Sequence, residues 1–299
     1  MNRVTPASSR QQVTAALQAS LARLQATQDQ ISSGRRLGKP SDSPTDTATA
    51  MSLRSEHQRS EQLDRALDDG TSRLATADQA LSQTDTLLLR VRQLLVAGSN
   101  DTNTGSERSA MAAEVDQLRS SLLDVANTRY LGRPVFAGTQ DTESAYDASG
   151  AYLGNTTPVE RRVTTGPDRV AVSVTGPDAF TTLFADSADP AGAGVLTRIS
   201  DALRSGDKAA LGQALTDLDG ASDALRTSQS IVGARAARLE SVRTVSQAAQ
   251  TRAETQLSTV EGIDLAKALT DLSVQQSAYQ AALQTTAKVI QPSILDFLR

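Results

Sequence analysis

The sequence predicts a mainly α fold: an elongated antiparallel helical bundle or coiled coil, formed by N- and C-terminal arms, with a small β-rich domain inserted between them. Three observations carry this. Residues 45–133 and 191–291 contain none of the nine prolines, and proline ends helices by removing a donor and clashing with the preceding turn. Apolar residues recur every seven positions in both arms. Aromatics make up 3% of the 299 residues and Trp is absent, which suits helices packed on Ala and Leu better than a thick globular core.

Taken in order, segment 6–32 carries a single apolar stripe of Leu17, Leu21, Leu24 and Ile31, interrupted by Gln28. Ser43 then stands before Pro44, with Asp46 in the first turn, which is the signature of a capped helix start. A helix over 44–97 would be about 80 Å long. In it Leu67, Leu74, Leu81, Leu88 and Leu95 are seven apart, and Leu63, Gly70, Ala77, Thr84 and Val91 fill the second seam position. Gly98-Ser99-Asn100 and Gly105 end it. Met111, Val115, Leu118, Leu122 and Val125 mark a second helix, expected to fold back antiparallel.

The middle reads as β. Val159, Arg161 and Val163 alternate, as do Val170, Val172 and Val174, with turn-like Gly166-Pro167-Asp168 and Gly176-Pro177-Asp178. Six of the eight aromatics fall between Tyr130 and Phe184. The C-terminal arm repeats the heptad through Leu211, Leu218, Leu225, Val232 and Leu239, then more weakly through Ser246, Ala253 and Val260. After Gly262 a fresh stripe runs through Leu265, Leu269, Leu272, Tyr279, Leu283 and Ile290, with polar Gln276 and Thr286 on it. The expected division is 1–43 with 262–299 as terminal helices, 44–139 with 196–261 as a long-helix bundle, and 140–195 as the β-rich insertion.

Composition excludes several functions. Without Cys there are no disulfides, zinc–thiolate sites, iron–sulfur clusters or Cys nucleophiles. The single His57 excludes multi-His metal sites and reads as a helix-flank residue. A net charge of −4 offers no footprint for nucleic acid. No run reaches 18 apolar residues, so no membrane insertion is expected, and Met1–Pro6 lacks the apolar core of a cleaved signal. Asp141, Glu143, Asp147, Glu160 and Asp168 match no calcium loop and read as solvated. Gly132 and Gly138 flank a turn without the strand-then-helix context of a phosphate loop. No catalytic residue, cofactor or metal is expected. Arg35, Arg36 and Lys39 form a basic cluster, read either as a solvated loop or as a contact with the next subunit.

A helix with one apolar stripe cannot bury it alone. The stripes on 6–32 and 264–297 are therefore the candidate assembly interface: Leu17, Leu21, Leu24 and Ile31 against Leu265, Leu269, Leu272, Tyr279, Leu283 and Ile290. Periodicity leaves a monomeric bundle and an assembling subunit both open. On the assembly reading, a charge at Leu24 or Leu272 should spare the monomer and abolish incorporation.

Short stretches go further. Gln30-Ile31-Ser32-Ser33-Gly34-Arg35-Arg36-Leu37, leading to Pro40-Ser41-Asp42-Ser43-Pro44, resembles a stretch near the start of the flagellin superfamily. Asn127-Thr128-Arg129-Tyr130-Leu131-Gly132-Arg133-Pro134-Val135-Phe136-Ala137-Gly138-Thr139 is similar to another, and Leu272–Leu283 and Ile294–Leu298 to its C-terminal helix. The motif residues are Ser33, Gly34, Asp42, Pro44, Asn127, Arg129, Tyr130, Gly132, Phe136 and Gly138. Ser43 and the Arg133-Pro134-Val135 run depart from the family pattern, which has Asp and Arg-Tyr-Leu there. Phe136–Thr139 and the short middle point to the hook-associated branch.

The resemblance implies a secreted structural component of the bacterial flagellum, exported unfolded by the type III route without a cleaved signal. It implies self-assembly into a ring at the hook–filament junction. The partners would be a neighbouring hook-associated protein on the hook side, a flagellin on the filament side and a cytoplasmic export chaperone at the C-terminal helix. The terminal helices would lie innermost and the insertion outermost. A filament flagellin of the same superfamily is the alternative. A cytoplasmic coiled-coil signalling scaffold and an enzyme housed in the insertion are alternatives of other classes.

Overall fold

The computed structural model describes residues 6–100, 102–164, 168–184 and 193–290; the side chains of 6–10, 181 and 287–290 lie outside that description. The helices are α1 (Pro6–Ser33), α2 (Pro44–Gly98), α3 (Gly105–Ala126), α4 (Gly176–Phe184), α5 (Val195–Ser205), α6 (Lys208–Glu261) and α7 (Leu265–Ile290). Two antiparallel strand pairs join β1 (Arg129–Tyr130) to β2 (Arg133–Pro134) and β3 (Glu160–Arg162) to β4 (Arg169–Ala171). The chain forms two compact units, Arg59–Ala248 and Met1–Gln58 with Ala249–Arg299. Helices α2 and α6 contribute residues to both.

The Arg59–Ala248 unit holds the hydrophobic core, and the heptads build it. Leu67, Leu74, Leu81, Leu88 and Leu95 are all buried, as are Leu211, Leu218, Leu225, Val232 and Leu239 from α6. Gly70, Ala77, Thr84 and Val91 are buried in the second seam position. The two helices run antiparallel: Asp64 accepts from Ser246 at 2.8 Å, Asp68 pairs with Arg243, and Arg92 meets Asp219 at 2.9 Å. Gly70 lets the segment after β4 pack closely on α2. A Cβ there would lie 2.9 Å from Val172 Cγ1 and 3.2 Å from Leu239 Cδ1.

Helix α3 starts with a capping box, Thr104 with Glu107, and folds back along α2 as expected, with Glu114 reaching Arg90 at 2.6 Å. The C-terminal arm is interrupted where periodicity gives no warning. Helix α5 ends at Gly206 in the left-handed conformation (φ 71°), and α6 begins two residues later, with Asp207 accepting from the Ala209 N–H at 2.9 Å. Ser205-Gly206-Asp207 is the signal for that break.

The middle carries fewer strand residues than its alternating valines suggest. Each strand of β3–β4 is three residues long. Gly176-Pro177-Asp178 is the first turn of α4 rather than a turn between strands. Proline loses no donor bond in a first helical turn, and Thr175 Oγ1 donates to Asp178 Oδ2 at 2.6 Å. The Gly166-Pro167 turn lies outside the described residues. Aromatic rings fill the space: Phe136 meets Phe180 edge-on at 4.8 Å, and Tyr146 meets Phe184 at 5.2 Å.

Candidate assembly surface

The Met1–Gln58 and Ala249–Arg299 unit is built differently. Among its described residues the only buried apolar side chains are Ala50, Ala253 and Ala268. Helices α1 and α7 pair antiparallel: Thr27 Oγ1 donates to Gln275 Oε1 at 3.0 Å, and further along Arg35 bridges to Gly262. Residues 13, 17, 20, 24, 27 and 31 of α1 and 268, 272, 275, 279, 282 and 286 of α7 are half-buried or buried. Their spacing of three and four is an a/d coiled-coil seam.

This seam divides the sequence-predicted interface. Leu17, Leu24, Ile31, Leu272 and Tyr279 lie in it, half-buried. Leu21, Leu269 and Leu283 stand one residue beyond a d position and are 36–50% exposed. In an antiparallel pair these flanking positions of the two helices share one side of the seam, so the three leucines line one flank. Leu265, at the start of α7, is 53% exposed. The Ile290 side chain lies outside the described residues. Val13, Ser20, Thr27, Ala268, Gln275 and Ala282 complete the seam without having been read from the sequence; Thr286, read as a polar stripe position, lies in it, whereas Gln28 and Gln276, read the same way, are exposed. The 3–4 spacing was there, but small and polar residues occupy it.

The linker between α1 and α2 is held by its motif residues. Gly34 ends α1 at φ 68°, open to the left-handed region because it lacks a Cβ. Ser33 Oγ donates to Gln30 O and accepts from the Arg35 N–H, each at 3.3 Å. Asp42 Oδ2 accepts from the N–H groups of Gly38 (3.1 Å) and Lys39 (2.7 Å). Ser43 Oγ accepts from the Asp46 N–H at 3.4 Å, capping α2 where Pro44 begins it. Arg36 donates to Glu261 O from its backbone at 2.6 Å, and from Nη2 to Val260 O at 2.9 Å and Asp46 Oδ2 at 2.7 Å. Hydrogen bonds from Arg36 and Ser43 hold the Asp46 carboxyl below the usual carboxylate range. Arg35 (3.7 Å) and Arg54 (2.5 Å) meet the buried Glu261 carboxylate. The Arg35 and Arg36 contacts described here are thus within the chain. Asp264 Oδ1 accepts from the Lys267 N–H at 3.1 Å and starts α7. His57 contacts Glu254 at 3.0 Å on a helix flank.

The remaining motif residues shape the other unit. Asn127 caps α3 and exchanges hydrogen bonds with the Tyr146 backbone, at 2.8 and 3.0 Å. Arg129 donates to Glu143 O. Tyr130 and Arg133 close a two-residue hairpin over Leu131 (φ 49°) and Gly132 (φ 81°), both left-handed as a twisted hairpin demands. Pro134 stands opposite Arg129, next to the bonded pair in which the Val135 N–H donates to Thr128 O at 2.9 Å. Antiparallel pairs alternate, so Pro134 occupies a position that needs no donor, and the departure from Arg-Tyr-Leu is accommodated. Phe136 is buried. Gly138 (φ 69°) sits where a Cβ would lie 2.3 Å from Asn155 O.

Among the described residues no three His, Cys, Asp or Glu side chains cluster as metal ligands, and no helix is long and apolar enough to cross a membrane. Asp141 pairs with Arg133 at 2.9 Å, and Glu160 with Arg169 at 3.8 Å. Asp147 accepts from Ser149 Oγ and the Ala151 N–H, which hold its carboxyl below the usual range.

Comparison with known proteins assigns this architecture. The family model of the bacterial flagellin N-terminal helical region matches residues 5–141, and that of the C-terminal helical region matches 215–298. The chain belongs to the flagellin superfamily. Residues 142–214, with the β3–β4 pair, α4 and α5, lie outside both flagellin models. Flagellar hook-associated protein 3 of Escherichia coli is 28% identical over 174 residues, 57% of this chain and 55% of that protein. A flagellin of Clostridium tyrobutyricum is 36% identical over 100 residues, 33% of this chain and 26% of that protein. The chain thus spans about half or less of the length of these curated relatives. In fold it is similar to a putative flagellar hook-associated protein from Vibrio parahaemolyticus, with TM-score 0.65 and 19% identity over 74% of this chain and 100% of that one. It is similar also to FlgL from Bacillus cereus, with TM-score 0.60 and 20% identity over 69% and 99%.

Proposed function

We propose that this chain is a structural adaptor at the hook–filament junction of the bacterial flagellum, assembling on the hook and giving the filament its base. The observation that carries this reading is the reach of the hook-associated similarity. It spans 57% of the chain for the Escherichia coli protein, against 33% for the Clostridium tyrobutyricum flagellin. The α1–α7 pair fits the role physically. Among its described side chains it buries no large apolar one, and it leaves Leu21, Leu269 and Leu283 along one flank, so neighbouring subunits supply the missing contacts. On this reading the protein is secreted without a cleaved signal and self-assembles into a ring. It meets a hook-associated protein on one side and flagellin on the other, and is held by a chaperone at α7 before export. Its work is geometric, with no catalysis. The inner placement of the terminal helices and the division at 43, 139, 195 and 261 belong to the same proposal.

A filament subunit is the second reading, favoured by the 36% identity to a flagellin. Deleting the gene separates the two. The adaptor reading expects hooks without filaments by electron microscopy and flagellin monomers shed into the medium. Bare hooks with no flagellin shed would make this chain the filament subunit. Normal filaments would remove both readings.

A further inference from the structure

We propose that the cleft between α2, the β1–β2 hairpin and β3 is an oxyanion site, in which Arg73, Arg133 and Arg161 bind a phosphate-like ion or a carboxylate. The cavity measures about 190 Å³, room for on the order of six waters. Its lining brings three guanidinium groups together with a single carboxylate, Asp69.

Arg73 is the central observation. It is 6% exposed, and its Nη2 donates to Pro134 O and Val135 O at 3.2 Å each. Its Nε is buried with no hydrogen-bond partner. A buried guanidinium donor left unpaired is costly, and a hairpin of two-residue strands needs no cluster of cations to hold it. Asp69 is already engaged by Arg161 Nε at 2.8 Å. Arg133 pairs with Asp141, which is 84% exposed and outside the cavity; an exposed pair of this kind contributes little and exchanges readily. Burial, then the charges of Arg161 and Arg133, push the Arg73 guanidinium below its ordinary value, with Asp69 opposing. An anion in the cleft would relieve that imbalance. The same oxyanion chemistry comes either from a free ion or from an Asp or Glu side chain of a second copy of this chain. The site stands independently of the junction reading.

The test uses the full chain with inorganic phosphate, titrated against chloride at constant ionic strength. Expected is a saturable rise in melting temperature with phosphate and none with chloride. The R133Q/R161Q double variant, with unchanged circular dichroism, should bind phosphate at least tenfold more weakly. R133Q alone, at an exposed position, should weaken it severalfold and serves if the double variant does not fold. Sedimentation velocity separates the sources. Self-association that both phosphate and R133Q lower points to a carboxylate of a second copy; binding without a change in sedimentation points to the free ion. No phosphate effect beyond chloride, or equal affinity in the folded variants, overturns the proposal.

Discussion

Asp46 shows how a single residue fixes the start of a long helix. Its backbone N–H is capped by Ser43, and its carboxylate accepts from Arg36. Ser43 departs from the family's usual residue, yet its hydroxyl performs the cap, and this was legible from the Ser-Pro-x-Asp order alone. The Arg36 contact was not, because it depends on α6 passing close enough for Val260 and Glu261 to meet the same arginine. The carboxyl is held low by these hydrogen bonds. Its contribution is therefore present above the unfolded pKa of about 3.9 and is lost as pH falls through the lower folded value. Following the Asp46 carboxyl carbon by NMR should give a midpoint below about 3.9, and Arg36→Gln should return it towards that value. An unchanged midpoint in the variant would mean that Arg36 does not hold the carboxylate in solution.

At the scale of elements, the heptads of α2 and α6 were readable because an apolar residue recurs every seven positions, and Leu67, Leu74, Leu81, Leu88 and Leu95 are buried with Leu211, Leu218, Leu225, Val232 and Leu239. The α1–α7 seam was only half readable. Counting leucines cannot tell an a/d position from its neighbour when Thr27, Gln275 and Ala282 occupy the seam itself. The structure therefore revises the expectation for Leu24 and Leu272. A charge at either now enters the intrachain seam, where an unpaired charge is expensive, so Leu24→Glu should separate α1 from α7 and expose both to protease. Leu283→Glu, on the exposed flank, should leave helicity and protease resistance of the monomer as they are and still abolish incorporation into flagella. Circular dichroism, limited proteolysis and electron microscopy of cells carrying each variant check this. Normal incorporation of Leu283→Glu would remove the flank from the assembly surface. The α5–α6 break was missed for a related reason: the seven-residue repeat begins only at Leu211, so it says nothing about what precedes it.

At the scale of the whole molecule, apolar burial is distributed unevenly. The Arg59–Ala248 unit contains the leucine seams, the aromatic cluster and α3 with α5; among the described residues of the other unit, the only buried apolar side chains are three alanines. Local stability follows buried apolar contact, so the two units should open at different free energies. Amides near Leu74–Leu95 and Leu218–Leu239 are expected to exchange only on global unfolding of their unit, and those of α1 and α7 much faster. Leu81→Ala removes a fully buried side chain and should cost about 2–5 kcal/mol, read as faster exchange throughout the Arg59–Ala248 core. The α1 and α7 amides should not respond, because effects at sites without shared partners do not couple. Native-state hydrogen exchange on the wild type and on Leu81→Ala decides the matter. If the α1 and α7 amides accelerate by the same factor as the core, the chain unfolds as one cooperative body, and the weak seam alone does not leave the terminal helices waiting for a neighbour.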